Sequence, residues 1–157
     1  MKKYILSSLL LVALAAPAHA TDAPEKPVEA LISTQSALSV EETANKLEAM
    51  MKEKGLTVFA RINHAENAAG VDLDLRPTEL IIFGNPKVGT PLMQCSQAIA
   101  IDLPQKMLVW QDEEGKAWLS YNNPDALQER HNVEGCDETF AKVKTVLGGL
   151  SAAVAVE

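Results

Sequence analysis

Two amphipathic helices, separated by a series of short strands, constrain the fold of this chain more than any other sequence feature. Ser39 and Glu42 form a capping-box pattern, and apolar residues at helical spacing follow it until Gly55, which predicts a helix with a left-handed C-cap. Asp137 is predicted to cap a second helix. Its core-facing residues would be Phe140, Val143, Val146, Leu147 and Leu150.

Strand patterns precede the first helix and fill the region between the two helices. The predicted strands are residues 28–38, 56–62, 79–83, 98–112 and 116–121. Alternation places Leu56, Val58, Ala60 and Ile62 on one face of the second strand. Glu113-Glu114-Gly115 predicts the hairpin turn between the last two strands, which would make Trp110 and Trp118 cross-strand neighbours.

Short helical insertions and a kink interrupt these strands. Residues 63–71 predict a turn or one short helix. Asn85 and Pro86 predict a helix that extends to about Cys95, and Asn123-Pro124 another toward His131. Leu103-Pro104 predicts a kink or bulge. The order β-α-β-β-β-β-α predicts an α+β fold, an antiparallel sheet with helices packed on one face.

The first 20 residues have the pattern of a Sec-type signal peptide. Lys2 and Lys3 precede an apolar run from Tyr4 to Ala16, and Ala18-His19-Ala20 is an A-x-A cleavage site. The run is too short to cross a bilayer. We therefore expect a periplasmic or secreted protein, cleaved after Ala20 and free of the membrane, with a mobile leader at 21–27 and one domain at 28–157.

Composition and charge argue against several classes of partner. Apolar residue types make up 47 % of the chain and charged types 22 %, as in ordinary globular proteins. Cleavage would remove Lys2 and Lys3 but no acidic residue, so the formal charge would change from −7 to −9. No cluster of Lys and Arg remains, and we therefore expect neither a nucleic acid nor an anionic membrane as a partner.

Cys95 and Cys136 are the only cysteines of the chain. In an oxidising compartment such a pair most often forms a structural disulfide. The alternative is a redox-active or metal-binding thiol pair, which the absence of a C-x-x-C spacing disfavours.

Several sequence blocks resemble the family of domains of unknown function numbered 302. The blocks are Val58–Ala65, Pro77–Met93, Asp102-Leu103-Pro104 with Leu108-Val109-Trp110, and Trp118–Asn122. The resemblance covers roughly residues 30–150. It implies a TATA-binding-protein-like β-α-β(4)-α fold and a homodimer, and it assigns no activity or cofactor. Cys95 and Cys136 depart from the family pattern, and together they favour a disulfide specific to this exported branch.

Polar residues at strand ends are the candidate binding residues. Asn63 and His64 begin a loop, where a metal ligand or general base could lie. Asn85 and Lys87 flank a helix N-terminus that could hold an anion. Arg61, Glu79, Asp102 and Tyr121 could converge on one face of the sheet. Each of these sets also has a purely structural interpretation, as a turn, a capped helix or an ion pair.

Three functions remain open from the sequence. The first is a non-catalytic domain that binds a small ligand or ion, either between sheet and helices or at a mouth formed by Asn63-His64 and Asn85–Lys87. The second is a hydrolase or lyase with His64 as base and Glu79 or Asp102 as its partner. The third is a structural homodimer with an interface near Trp110 and Trp118. A zinc site containing His64 and His131 is a weaker possibility.

Overall fold

The computed structural model describes residues 28–156; the predicted signal peptide and the leader at 21–27 lie outside this range. The strands are β1 (Leu31–Gln35), β2 (Thr57–Asn63), β3 (Thr78–Gly84), β4 (Gln105–Gln111) and β5 (Ala117–Asn122). The α-helices are α1 (Val40–Glu53), α2 (His64–Ala69), α3 (Pro86–Cys95), α4 (Pro124–Arg130) and α5 (Asp137–Ala152). A 3₁₀ helix at Gln97–Ile101 lies between α3 and β4.

The five strands form one antiparallel sheet in the order β1-β5-β4-β3-β2. Strands β2 to β5 pair in chain order, while β1 pairs with β5 at the far edge. Trp110 lies directly opposite Trp118, with ring centroids 6.5 Å apart. The predicted α+β architecture and this cross-strand pair are therefore confirmed.

The core lies between one face of the sheet and the helices α1 and α5. Strand residues that point to this side, such as Ile81, Met107 and Leu119, are fully buried. From α1, Leu47 and Met51 meet them, and α5 contributes Phe140, Val143, Leu147 and Leu150. Removing this apolar surface from water stabilises the fold. On the opposite face most of the alternate strand residues remain partly exposed.

Local sequence signals account for the ends of α1. The Ser39 side chain accepts a hydrogen bond from the Glu42 amide, and the Glu42 carboxylate accepts one from the Ser39 amide. Gly55 follows the helix with φ +69°, a conformation that glycine adopts without a steric penalty. The predicted capping box and left-handed glycine are both confirmed.

The structure corrects four local expectations. A β-bulge at Phe59 interrupts the alternation of β2, so Val58 lies on the core side while Ala60 and Ile62 lie on the opposite face. Residues 97–101 form a 3₁₀ helix instead of extended strand. The N-cap of α5 is Cys136, and Asp137 is its first residue.

Val146 is the fourth correction, because it is partly exposed beside the core. The short helices predicted at 63–71, after Asn85 and after Asn123 are present as α2, α3 and α4. No helix within residues 28–156 is both long enough and apolar enough to cross a membrane.

Cys95 and Cys136 form the predicted disulfide. Cys95 is the last residue of α3, and Cys136 precedes α5. The bond therefore fastens the C-terminal end of α3 to the beginning of α5, across a separation of 41 positions in the chain.

Candidate functional site

A cavity of about 230 Å³ opens between the end of β3, helix α3 and the turn that leads into β4. Most of its lining is apolar: Phe59, Gly84, Pro86, Val88, Gly89, Leu92, Met93, Ala100, Leu103, Pro104 and Val143. Asn85, Thr90 and Gln105 add polar side chains, and none of the lining residues is charged. An apolar cleft with a few polar groups is the usual form of a small-molecule site.

The β3–α3 junction forms one side of this cavity. The Asn85 side chain accepts a hydrogen bond from the Lys87 amide at 2.9 Å, which caps α3, and Pro86 is the first residue of the helix. Gly84 lies beside Pro104 and Phe59 in this wall. A Cβ at this position would lie 3.5 Å from Pro104 Cβ and 3.6 Å from Phe59 Cε2. These contacts are ordinary, so the missing side chain leaves space in the cavity wall.

The Leu103-Pro104 turn forms the opposite wall, and polar contacts hold it in place. His131 Nε2 lies 2.6 Å from Asp102 Oδ2, and the side chains of these residues are only 8 % and 14 % exposed. Arg130 Nη1 lies 3.4 Å from the other carboxylate oxygen. The Lys106 ammonium donates to the carbonyl oxygens of Asp102 and Pro104. These contacts join the turn to the C-terminal end of α4.

A second polar cluster surrounds Arg61, toward the end of the β2–β3 pair that lies away from the cavity. Arg61 Nε donates to Glu79 Oε2 at 2.5 Å, and Nη1 donates to Asn45 Oδ1 at 2.6 Å and to Glu48 Oε2 at 3.3 Å. The hydrogen bond to Glu79 is the largest of the effects that raise the Arg61 pKa. The Glu48 pKa is lowered, first by the hydrogen bond from Lys52 and also by Arg61.

The groups around Arg61 are arranged as an ion-pair network. An open polar depression of about 650 Å³ lies beside it, lined by Glu41, Arg61, Ile62, Asn63, Glu66, Asn67 and Glu79. The guanidinium is already shared among two carboxylates and one amide oxygen. Within residues 28–156 no group of three His, Cys, Asp or Glu side chains is arranged to hold a metal ion. The network explains how α1 is joined to β2 and β3.

The prediction that Asn63-His64 and Asn85–Lys87 form one binding mouth is wrong. Asn63 lies opposite Glu79 at one end of the β2–β3 pair, whereas Gly84 lies opposite Thr57 at the other end. Five residue steps along β3 separate the two ends, which corresponds to roughly 17 Å at the usual rise of an antiparallel strand. The two sets therefore belong to different parts of the surface.

The predicted convergence of four residues is correct only for Arg61 and Glu79. Asp102 lies beyond the other end of β3 and pairs with His131. Tyr121 is buried in the core, and burial raises its pKa. These placements follow from the sheet register, because Gln105 at the beginning of β4 lies opposite Phe83 at the end of β3.

The two histidines lie at opposite ends of the sheet, so the joint zinc site is wrong. His64 is the first residue of α2, beside Asn63, whose side chain accepts a hydrogen bond from the Glu66 amide. Among the described residues the His64 ring has no hydrogen-bond partner, whereas the enzyme hypothesis requires Glu79 or Asp102. The histidine that meets a carboxylate is His131, which the sequence suggested as the end of a short helix and as a weak zinc ligand beside His64.

Sequence reasoning also missed most of the cavity lining. Phe59, Leu103 and Val143 come from three distant parts of the chain, and no spacing pattern relates them. The available signal was the grouping of the sequence blocks. Three of them, Val58–Ala65, Pro77–Met93 and Asp102-Leu103-Pro104, each contribute to the wall of this one cavity.

Comparisons with known proteins agree with this architecture. The sequence model of the family described as "Domain of unknown function DUF302" matches residues 32–150. A crystal structure of an uncharacterized conserved DUF302 protein from Bacillus stearothermophilus superimposes with a TM-score of 0.73. The match covers 81 % of this chain and 99 % of that chain at 20 % identity. At this identity the similarity establishes the fold alone.

Curated relatives of this chain carry a functional name. The proteins named fluoride-specific ion channel FluC 1 from Brucella suis and from Brucella abortus are each 46 % identical to this chain over 103 residues. The match covers 66 % of this chain but only 41 % and 38 % of those proteins. The chain thus spans about two fifths of the length of the curated relatives that it matches.

Proposed function

The chain belongs to the DUF302 family, whose description assigns no activity, and we propose that it is a non-catalytic domain that binds a small, mostly apolar ligand. The ligand occupies the cavity between the β3–α3 junction and the Leu103-Pro104 turn. The observation that carries the proposal is that three family-like sequence blocks meet at this cavity. Side chains that served only to fill the core would pack together without leaving a cleft there.

The lining favours an apolar ligand over a small inorganic ion. A buried charge without a partner loses its hydration at high cost, and no lining residue carries a compensating charge. An uncharged, apolar group pays no such cost. The name of the Brucella relatives therefore contributes nothing to the proposal, because fluoride is a small and strongly hydrated ion.

Straight-chain alcohols test the proposal. We expect 1-butanol, 1-hexanol and 1-octanol to bind saturably at one site. Binding is measured through the chemical shifts of the Val88 and Met93 methyl groups in NMR spectra. Burying each further CH₂ contributes at most about 0.8 kcal/mol, so affinity rises up to about fourfold per CH₂ until the cavity is full. No saturable binding by any of these alcohols would contradict the proposal.

Gly89→Leu supplies the blocking variant. A Cβ on Gly89 meets no atom within 4 Å, and the residue lies within α3 at the cavity wall. Leucine also has the higher helix propensity, so the variant retains its stability. Gly149→Leu is the matched control, because Gly149 has the same free space but lies in α5 away from the cavity. We expect the first variant to lose alcohol binding and the second to keep it.

A second function, self-association into a homodimer, is favoured by the partly exposed sheet face. Its apolar residues are Ile62, Leu80, Ile82, Leu108, Trp110 and Trp118. The two tryptophan rings stack beside the β4–β5 hairpin, and Trp110 Nε1 donates to Ser120 Oγ. Apolar patches of this kind are typical of protein interfaces.

Sedimentation analysis of two variants tests the homodimer. Leu108→Glu places a charge on the sheet face, and Ile101→Glu places one on an exposed apolar residue of the 3₁₀ helix. We expect the wild type and Ile101→Glu to sediment as dimers and Leu108→Glu as a monomer. A wild type that stays monomeric at every concentration would contradict this second proposal.

We also propose that the chain is exported and cleaved after Ala20. The A-x-A pattern supports this, and so does the Cys95–Cys136 disulfide, since such bonds persist in oxidising compartments. Intact mass spectrometry of periplasmic protein should give the mass of residues 21–157 less two hydrogens. An uncleaved chain in the cytoplasm would contradict the proposal.

A further inference from the structure

We propose that the ligand is an anionic amphiphile, whose short unbranched chain lies in the cavity and whose head group pairs with Lys142. This inference rests on the binding function proposed above and names the class of ligand. A monocarboxylate with a medium-length alkyl chain has the required chemistry. A second, smaller cavity lies beside the first.

The smaller cavity, of about 70 Å³, continues the first one toward α5. The two share five lining residues: Gly84, Asn85, Val88, Gln105 and Val143. The smaller cavity is further lined by Leu56, Phe83, Lys142, Val146 and Leu147. Because both cavities contact the same side chains, an elongated molecule can occupy the two together.

Lys142 is the one charged residue in the lining of these two cavities. It lines only the smaller cavity, so its charge lies at one end of the combined space. Lysine covers apolar surface with its alkyl stem while its ammonium group stays in water. A head group at this end therefore keeps part of its hydration, whereas the alkyl chain is removed from water.

The Lys142 ammonium is available for such a pairing. Within residues 28–156 it takes part in no ion pair, whereas its neighbour Lys144 is paired with Asp125. The partly exposed Val146, which the sequence predicted as a core residue, lies one turn further along α5 and lines the same cavity. Its exposure is explained if an apolar chain covers it.

The size of the space limits the chain length. The larger cavity is below the roughly 300–1,000 Å³ of sites that take drug-sized molecules. A single chain of medium length therefore fills it, and affinity should stop rising once the chain exceeds the space. Branched or aromatic acids of greater width should bind more weakly.

The test compares octanoate with 1-octanol, which has the same chain length but no charge. Binding is measured by titration calorimetry on the full mature chain, with Lys142→Gln, Lys142→Arg and the control Lys144→Gln. We expect Lys142→Gln to weaken octanoate about two- to fivefold, in the range of a partly exposed ion pair. Lys142→Arg and Lys144→Gln should bind octanoate with an affinity within twofold of the wild type. The affinity for 1-octanol should be the same in all three variants as in the wild type.

Salt provides an independent readout. The octanoate advantage of wild type over Lys142→Gln should shrink as ionic strength rises, because the pair is exposed to solvent. If octanoate binds equally to wild type and Lys142→Gln while 1-octanol still binds, the amphiphile proposal is overturned and the apolar-ligand function stands. If neither molecule binds to the wild type, both proposals are wrong.

Discussion

His131 Nε2 lies 2.6 Å from Asp102 Oδ2, and this contact joins the end of α4 to the turn that forms one wall of the cavity. Both side chains are largely buried, so the contact is little exposed to competing water. The two residues are 29 positions apart and lie on different elements. The pair therefore positions Leu103 and Pro104 from outside the cavity.

Replacing His131 with asparagine should destabilise the protein, because the Asp102 carboxylate would lose its short contact. We expect a loss of about 1–3 kcal/mol, typical of a buried polar group left without its partner. Urea unfolding at neutral pH measures it. His64→Asn is the matched control, since the His64 ring has no hydrogen-bond partner among the described residues, and it should change stability by less than about 0.5 kcal/mol. Equal effects of the two changes would contradict this role for His131.

Replacing Glu79 with glutamine should also destabilise the protein, because the buried carboxylate accepts from Arg61 Nε. A hydrogen bond to a charged group contributes about 1.5–3 kcal/mol, and we expect a loss within that range. Glu114→Gln is the control, as the Lys116–Glu114 pair is exposed and should contribute less than about 1 kcal/mol. Chemical denaturation of both variants provides the comparison. If Glu79→Gln leaves the free energy of unfolding unchanged, Asn45 and Glu48 alone hold the guanidinium.

Removing the disulfide by Cys95→Ala with Cys136→Ala should lower the free energy of unfolding. Closing a loop of 41 positions stabilises the fold by roughly 4 kcal/mol in the chain-entropy model. Because the bond fastens α3 to α5, the variant should also weaken binding of 1-hexanol. Thermal unfolding of the oxidised wild type, the reduced wild type and the variant tests both expectations. Reduced wild type and the double variant should behave alike.

The pH dependence of stability should contain a contribution from Asp112. The indole Nε1 of Trp118 donates to Asp112 Oδ2 at 2.7 Å, and this bond is the largest cause of the lowered Asp112 pKa. The folded state thus favours the carboxylate. The stabilisation is fully present above the unfolded-state pKa of about 3.9 and is lost as pH falls through the lower folded-state pKa.

Asp112→Asn should therefore be less stable than wild type at pH 7, and the two should converge in acid. Urea unfolding at pH 7, 5 and 3, with tryptophan fluorescence as the probe, gives the difference in the free energy of unfolding at each pH. Asp74→Asn, in an exposed loop, is the control and should show no such convergence. If the stability difference between Asp112→Asn and wild type stays constant down to pH 3, the effect comes from the shape of the side chain and not from its charge.

Features that depend on neighbouring residues were predicted best. The capping box of α1, the left-handed Gly55 and Gly115, and the asparagine caps of α3 and α4 all follow from contacts within a few positions. The bulge at Phe59 was missed because alternation continues on both sides of it, and only the register against β3 reveals the shift.

Local periodicity, turn chemistry and the cysteine count were enough to predict the element order and the α+β class, and they favoured a disulfide between the two cysteines. Which polar residues meet depends on the packing of distant segments. Antiparallel pairing placed Asn63 and Asn85 at opposite ends of β3, and it left Asp102 beside His131 instead of His64. The cavity is likewise a tertiary property, since its walls come from segments that share no local pattern and meet only when the helices pack on the sheet.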